Sequence, residues 1–478
     1  MLRLNKSASI FLLSLLMIYS CKPTSQLNEN KKLVMPAAYA TSINSNTDSI
    51  NITWETCFSD PLLTALIDTA LNNNFDVLSM LQRVEAARAE ILFAKGRMLP
   101  TVDAGISAGV IRLGEYSADW AGNEGSQYVN GEMMTQRIPD YYLGFSASWE
   151  ADIWGKLKNQ KKAAYSRYLS SVEGSNWVVT SLIAEISSIY YELLSLDNQL
   201  EIIRETIQIQ ENALEIVKIQ KRTGTANELA VKQFEGQLLN TKNMERALYK
   251  EIISTENIIN FLLGRFPQPI ERSPALFSNE FPEGLAPGIP STLLQRRPDI
   301  REAEFELMAA KADVASAKAA FLPSLNVTGD IGFNAFDPSY LIRTPESIAY
   351  GLLGGLTAPL INRSAIKAEF KQANAYQLDA LYNYHKTILN GYVEVANEMV
   401  NLDNLDEMYA FKSEEVEALN QSIDISTRLF RTGRANYLEV LLAQQNALEA
   451  KLDLIDTRKQ QYLALTKIYK ALGGGWYK

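Results

Sequence analysis

The chain has 478 residues, 47% apolar and 21% charged, with 55 acids against 46 bases for a formal charge of −9. That length suits three average domains or one large repeated architecture, and the composition excludes extended disorder. Two cysteines and one histidine exclude a zinc finger, a disulfide scaffold and a His-rich metal centre, and leave His385 alone for any Ser-His-Asp or Cys-His chemistry. No sustained basic stretch marks a nucleic-acid partner.

The N-terminus reads as an address. Arg3 and Lys6 precede a mainly apolar run from Ile10 to Tyr19, and Ser20 stands before Cys21. A basic start, a short apolar run and a small residue at the cut make a signal peptide of residues 1–20. Ile18-Tyr19-Ser20-Cys21 resembles the lipobox of bacterial lipoproteins, where Cys21 would carry the lipid and become the first residue. The plainer alternative is an ordinary signal peptide with an incidental cysteine. Residues 21–57 then read as a lipidated polar tether, with Cys57 a small buried side chain. Later in the chain the most apolar stretch, Val178 to Leu196, carries Glu185 and Glu192, so no transmembrane helix is expected.

Beyond the tether the chain repeats itself, and the repeat sets the expected domains. Residues 93–100 recur as 316–323, an offset of 223; Arg222 to Leu229 recurs as Arg431 to Leu438, an offset of 209. The first unit is expected over 58–264 and the second over 298–473, with a connector at 265–297 and a tail at 474–478. Arg265 to Pro298 holds seven of the sixteen prolines, so it cannot be one regular helix; a short helix near Ser291 to Gln295 is expected.

Each unit has the order helix, strand, strand, long helix, helix. The first helix starts at Asp60-Pro61, an N-cap followed by proline at the first helical position, and runs to about Met98 with a break near Asn72-Asn73-Asn74. Pro100 and Pro323 end the helical pattern. Strands are expected at about 101–111 and 141–150, and again at 324–333 and 347–356. Val102, Ala104, Ile106, Ala108 and Val110 alternate with Thr101, Asp103, Gly105, Ser107 and Gly109. Such alternation fits a lipid-facing barrel strand or a half-buried strand of a soluble sandwich. Four strands cannot close a barrel, since single-chain bacterial barrels begin at about eight. If these strands span a membrane, several copies must contribute.

The helices after each strand pair, Leu157 to Arg222 and Ser364 to Arg431, contain no proline and far exceed globular length. Leu193, Leu196, Leu200, Ile203, Ile207, Gln210, Leu214 and Val217 form a seam of threes and fours. Its counterpart runs through Leu402, Leu405, Tyr409, Lys412, Val416, Leu419, Ile423 and Ser426. Each helix stops at Thr-Gly, where Gly224 and Gly433 suit the left-handed cap, and a shorter helix returns to Gly264 or Gly473. Glu228, Glu235 and Glu439 near these turns favour cations, or simply solvate a helix face.

The joint order of these parts resembles the outer membrane factor family, the TolC-like channels, and especially its lipoprotein branch serving resistance-nodulation-division (RND) efflux pumps. The resemblance runs from Phe58-Ser59-Asp60-Pro61-Leu62-Leu63 to Leu472-Gly473, and Arg296-Arg297-Pro298-Asp299-Ile300 looks like the mid-chain signature. It implies a mainly α fold with a small membrane β portion, forming a homotrimeric α-barrel tunnel under a shared twelve-stranded β-barrel. It implies a lipid-anchored outer-membrane location and a periplasmic extension. Its partners would be a periplasmic adaptor and an inner-membrane RND-type transporter, with no cofactor. Under it, Thr223, Gly224, Ala226, Asn227, Thr432, Gly433, Ala435 and Asn436 are the adaptor-contact tips, and Leu438, Glu439 and Leu442 the aperture. Family members often carry Asp in this last stretch, so Leu442 departs from the pattern and points to a leucine constriction flanked by Glu439. The implied function is a passive duct for small molecules such as drugs. The alternatives are the channel of a type I protein or peptide secretion system, or a helical spacer with no conductance; no His, Cys or Gly-rich loop supports an enzyme.

Overall fold

A computed structural model describes residues 35–36, 53–58, 60–274, 277, 290, 293–359, 361 and 363–474. Cys21, the expected signal peptide and most of the tether lie outside the described residues, as does the tail beyond Gly474.

The described elements are α1 (Trp54–Cys57), α2 (Pro61–Asn73), α3 (Phe75–Gly96), β1 (Thr101–Arg112), α4 (Ala118–Asn123), β2 (Arg137–Ala151), α5 (Lys156–Arg222) and α6 (Glu228–Leu262). They continue as α7 (Leu293–Arg296), α8 (Pro298–Ala319), β3 (Ser324–Ala335), β4 (Ile348–Thr357), α9 (Ser364–Arg431) and α10 (Tyr437–Ala471). A 3₁₀ turn, Pro338–Tyr340, lies between β3 and β4.

Contacts divide the described chain differently from the repeats. One compact unit is Ala86–Tyr168 with Phe305–Leu381; the other is Lys32–Glu85, Leu169–Glu304 and Tyr382–Lys478. Each unit draws on both halves, because partners such as β2 and β3 come from opposite halves.

The first unit is built on one antiparallel sheet in the order β1-β2-β3-β4. β2 starts at Arg137, four residues before the expected 141. Pro139 argues against a strand there, but it sits opposite Val110, and β2 pairs with β3 only from Tyr141 onward. With a neighbour on one side only, the missing N–H of Pro139 is tolerated. β1 and β4 reach Arg112 and Thr357, one residue beyond expectation, and β3 reaches Ala335. The loop after β1 is therefore 113–136, and it contains α4, capped by the Ser117 hydroxyl accepting from the Trp120 N–H.

In the second unit Asp60 caps α2 through the Leu62 N–H, with Pro61 at the first helical position. Asn74 makes the expected break: its Oδ1 accepts from the N–H groups of Asp76 and Val77 at 2.9 and 3.1 Å, so it caps α3 as α2 ends. Its Nδ2 donates to the Leu262 carbonyl at 2.9 Å. Arg297, at the same place in the second half by the 223 offset, donates from Nη1 to the Ala471 carbonyl at 2.9 Å. Ala471 is Leu262 shifted by 209. The duplication thus survives as one contact made twice, by an amide in one half and a guanidinium in the other.

Arg297 is fully buried and does more than its counterpart. Its Nε and Nη2 bond both oxygens of Asp299 at 3.0 and 2.7 Å, Nη1 also reaches Glu394 at 2.7 Å, and its guanidinium lies 5.2 Å from the Trp177 ring. The Arg-Arg-Pro-Asp motif is accordingly a packing hub joining α5, α8, α9 and the end of α10.

All eight residues of the first seam are buried, including Gln210, whose side-chain amide has no hydrogen-bond partner among the described residues. One window of α5 has the length and composition to cross a membrane, but 61% of it is buried in the chain, as in a core helix. The second seam is not equivalent: Leu402 and Leu405 are buried, while Val416, Leu419 and Ile423 are only half-buried. Lys412 ties this seam to α10 through Asp453 at 3.0 Å. Cys57 is buried, and desolvation pushes its thiol up to about 12, so it is a packed, unreactive side chain.

Candidate functional site

Two regions stand out: the faces of the sheet and the turns that close the two long helical hairpins.

Register sorts the sheet into two surfaces, because directly opposite residues share a face. One face carries the rows Ala104–Phe145–Ile331–Tyr350 and Ile106–Leu143–Phe333–Ile348. The other carries Thr101–Ser148–Thr328–Leu353 and Asp103–Ser146–Asp330–Gly351. On the apolar face, Val102, Ile106, Phe145, Ile331, Tyr350 and Leu352 are all exposed in the single chain. β1 and β4 each leave an outer edge without a partner strand among the described residues. Open strand edges beside a solvent-exposed apolar surface are untenable in water for a lone chain.

The polar face also holds a glycine row, Gly105–Gly144–Gly332. A Cβ added to Gly332 would stand 2.5 Å from the Leu143 carbonyl oxygen and 3.0 Å from the Tyr142 ring. Around the middle of this row the strands leave no room for a side chain.

The two turns share one design. At the end of α5, Gly224 takes φ +82°, the Thr225 N–H reaches back to the Gln220 carbonyl at 2.9 Å, and the Gly224 N–H reaches Lys221 at 3.1 Å. At the end of α9, Gly433 takes φ +70°, and Arg434 and Gly433 bond Leu429 and Phe430 at 2.9 and 3.1 Å. This pair of bonds is the Schellman closure, which needs glycine for its positive φ. The hydroxyls of Thr223 and Thr432 each donate to a carbonyl of the last helical turn, at 3.0 Å to Gln220 and Leu429. Asn227 and Asn436 then cap the returning helices by accepting from Ala230 and Leu438 N–H groups at 2.9 and 3.3 Å. Ala226 and Ala435 are half-buried between cap and turn. Lys221 and Glu228 close the first turn with an ion pair.

Leu438, Glu439 and Leu442 occupy the first turns of α10. Leu438 and Leu442, four residues apart on one face, are 45% and 49% exposed. Glu439 is exposed but occupied: its carboxylate accepts from the Asn436 N–H at 3.3 Å, completing a capping box. A capping role for this carboxylate is written in the Asn-x-x-Glu spacing and stands beside the acidic-flank reading. Near the turns a cavity of about 170 Å³ touches α5, α6, α9 and α10, lined by Asn212, Phe234, Thr427, Arg431, Val440 and Gln444 among others, so both hairpins meet there.

One charged feature takes shape only in the fold. Arg88 and Lys95 of α3 and Lys158, Lys161 and Lys162 of α5 line one groove with Tyr165 and Tyr168. Three of its bases belong to the lysine-rich stretch Lys156–Lys162, but Arg88 and Lys95 join them only through the fold. Among the described residues no three His, Cys, Asp or Glu side chains gather to hold a metal.

The family model described as outer membrane efflux protein matches residues 66–265 and 289–474. The cation efflux system protein CusC of Escherichia coli O6:H1 is 29% identical over 438 residues, covering 91% of this chain and 90% of that protein. The probable outer membrane lipoprotein SilC of Salmonella typhimurium is 28% identical over 480 residues, covering 99% of each. A crystal structure of CusC, described in terms of transmembrane channel formation, matches with a TM-score of 0.78 at 27% identity, over 93% of this chain and 99% of that one.

Proposed function

We propose, because this chain belongs to the outer membrane efflux protein family, that it is the passive outer-membrane channel of a tripartite efflux pump. Three copies would set their four-stranded sheets edge to edge, β4 of one beside β1 of the next, and close a twelve-stranded barrel. The observation that carries this reading is the two-faced sheet with both outer edges open: lipid would cover the face of Ile106 and Phe145, and water would fill the side of Asp103 and Asp330. A second support is α9, where Leu389, Val393, Val400, Met408 and Phe411 are exposed, Phe411 to 68%, as a surface awaiting neighbouring copies would be. Energy would come from an inner-membrane RND-type transporter, linked to this chain by a periplasmic adaptor that grips the turns at Thr223–Asn227 and Thr432–Asn436. The relatives named for cation efflux favour small solutes as cargo over proteins.

The aperture would be drawn in by Leu438 and Leu442 from each copy, an apolar ring that stops ions by dewetting. Adaptor contact would bias the population toward the spread arrangement. Purified protein in planar bilayers is expected to conduct as a trimer, and the Leu438→Ser/Leu442→Ser double substitution to raise single-channel conductance several-fold. A trimer that passes no current in either form would defeat the duct reading; current unchanged by the substitution would remove these leucines from the aperture.

The acyl anchor would sit on Cys21, consistent with the lipoprotein named in the relative SilC. Cells fed labelled palmitate are expected to mark the parent chain and not Cys21→Ala; label persisting in the variant would refute the assignment.

A further inference from the structure

The four strands contain only two Lys or Arg residues, Arg112 and Arg137. They sit directly opposite each other across the β1–β2 ladder. Both lie on the apolar face: Arg112 ends the series Val102, Ala104, Ile106, Ala108, Val110, and Arg137 ends the series Trp149, Ala147, Phe145, Leu143, Tyr141, Pro139. Both are exposed, and neither makes an ion pair or a side-chain hydrogen bond among the described residues. Like charges directly opposite destabilise a strand pair, and a cation on a lipid-facing surface is tolerated only near the boundary. The strand ends near α3 and α5 show no such pair; there Trp149 donates its indole N–H to the Met98 carbonyl at 3.0 Å. The apolar face of the sheet thus carries its strand cations at one end alone.

We propose that Arg112 and Arg137 form a binding site for the phosphate-bearing headgroup of an outer-leaflet lipid. The inference rests on the channel reading above, which would put the strand ends away from α3 and α5 at the outer leaflet. Two guanidiniums on adjacent strands offer forked donors to one phosphate, and Arg matches phosphate geometry better than Lys. The apolar stripe below them accepts the acyl chains of the same molecule, so headgroup and tail are read by one continuous strip. The anion relieves the like-charge opposition that the isolated sheet leaves uncompensated.

The test begins by checking that the protein is trimeric and conducts, so failure of the channel reading is seen first and separately. Trimers in nanodiscs of phosphatidylcholine are titrated with diphosphoryl lipid A, and bound lipid is counted by native mass spectrometry. Arg112→Gln/Arg137→Gln is expected to lower lipid A affinity at least ten-fold while trimer content and conductance stay at parental values. Arg112→Lys/Arg137→Lys is expected to fall between the two. Equal affinity of the parent and the Gln double variant overturns the proposal. So does displacement of lipid A from the parent by an equimolar dephosphorylated analogue, since that would place recognition in the acyl chains. Loss of trimer in the Gln variant with unchanged lipid count would assign the arginines to a contact between copies and would also overturn it.

Discussion

Replacing Arg297 by alanine is expected to destabilise the helical unit by about 3–5 kcal/mol, the usual cost of removing one partner from a buried charge cluster. The guanidinium is fully buried, and its loss leaves the Asp299 carboxylate with the Ile300 N–H alone and takes a donor from the Ala471 carbonyl. Glu394 loses its bond at 2.7 Å but is partly solvated and recovers some of it from water. Arg297→Lys keeps a charge but cannot fork to both oxygens of Asp299, so an intermediate loss is expected. Gly391→Ala tests the same hub from α9, since its Cβ would come within 3.1 Å of Arg297 Nε. Thermal unfolding of purified protein, followed by helical circular dichroism, should rank parent, Lys variant and Ala variant in that order. Coincident melting of parent and Ala variant would show that the hub is not stabilising.

Gly332→Val is expected to abolish assembly of the proposed barrel. The added Cβ alone meets the Leu143 carbonyl oxygen at 2.5 Å and the Gly144 Cα at 2.6 Å, backbone atoms of a paired strand that cannot move without parting the ladder. Overpacking a core costs roughly 1–3 kcal/mol when side chains can yield; here backbone must yield, and in the proposed closed ring every copy would carry the same fault. The control lies in the same row: nothing stands within 4 Å of a Cβ on Gly105, so Gly105→Ala is expected to assemble normally. Heat-resistant oligomer on gels of outer-membrane fractions reads the result. Parental oligomer levels in Gly332→Val would mean that the strands pair differently from the register described.

Much of this protein is legible locally. Asp60-Pro61 and the Thr-Gly turns fix helix ends through hydrogen bonds made within a few residues. Period-two alternation gives each strand its two faces before any partner is known, and the seam from Leu193 to Val217 is buried along its length. The tips and the Asn-x-x-Glu box at Asn436–Glu439 belong to this class. The basic groove of α3 and α5, the pairing of Arg112 with Arg137 on the apolar face, and the role of the Arg-Arg-Pro-Asp motif do not.

What the sequence alone determined, then, is which residues share a face and where each helix stops, since both follow from the fixed periods of helix and strand and from short-range capping. Only the tertiary structure decided which faces meet. It set β2 against β3 across the two halves, carried β2 through Pro139 because that edge has no second neighbour, and closed Arg297 on Asp299, Glu394 and Ala471. It also left the α9 seam less covered than its α5 counterpart, although the two halves share one pattern. Pairing over such separations depends on the shape and charge that distant segments present together, and no local repeat encodes that.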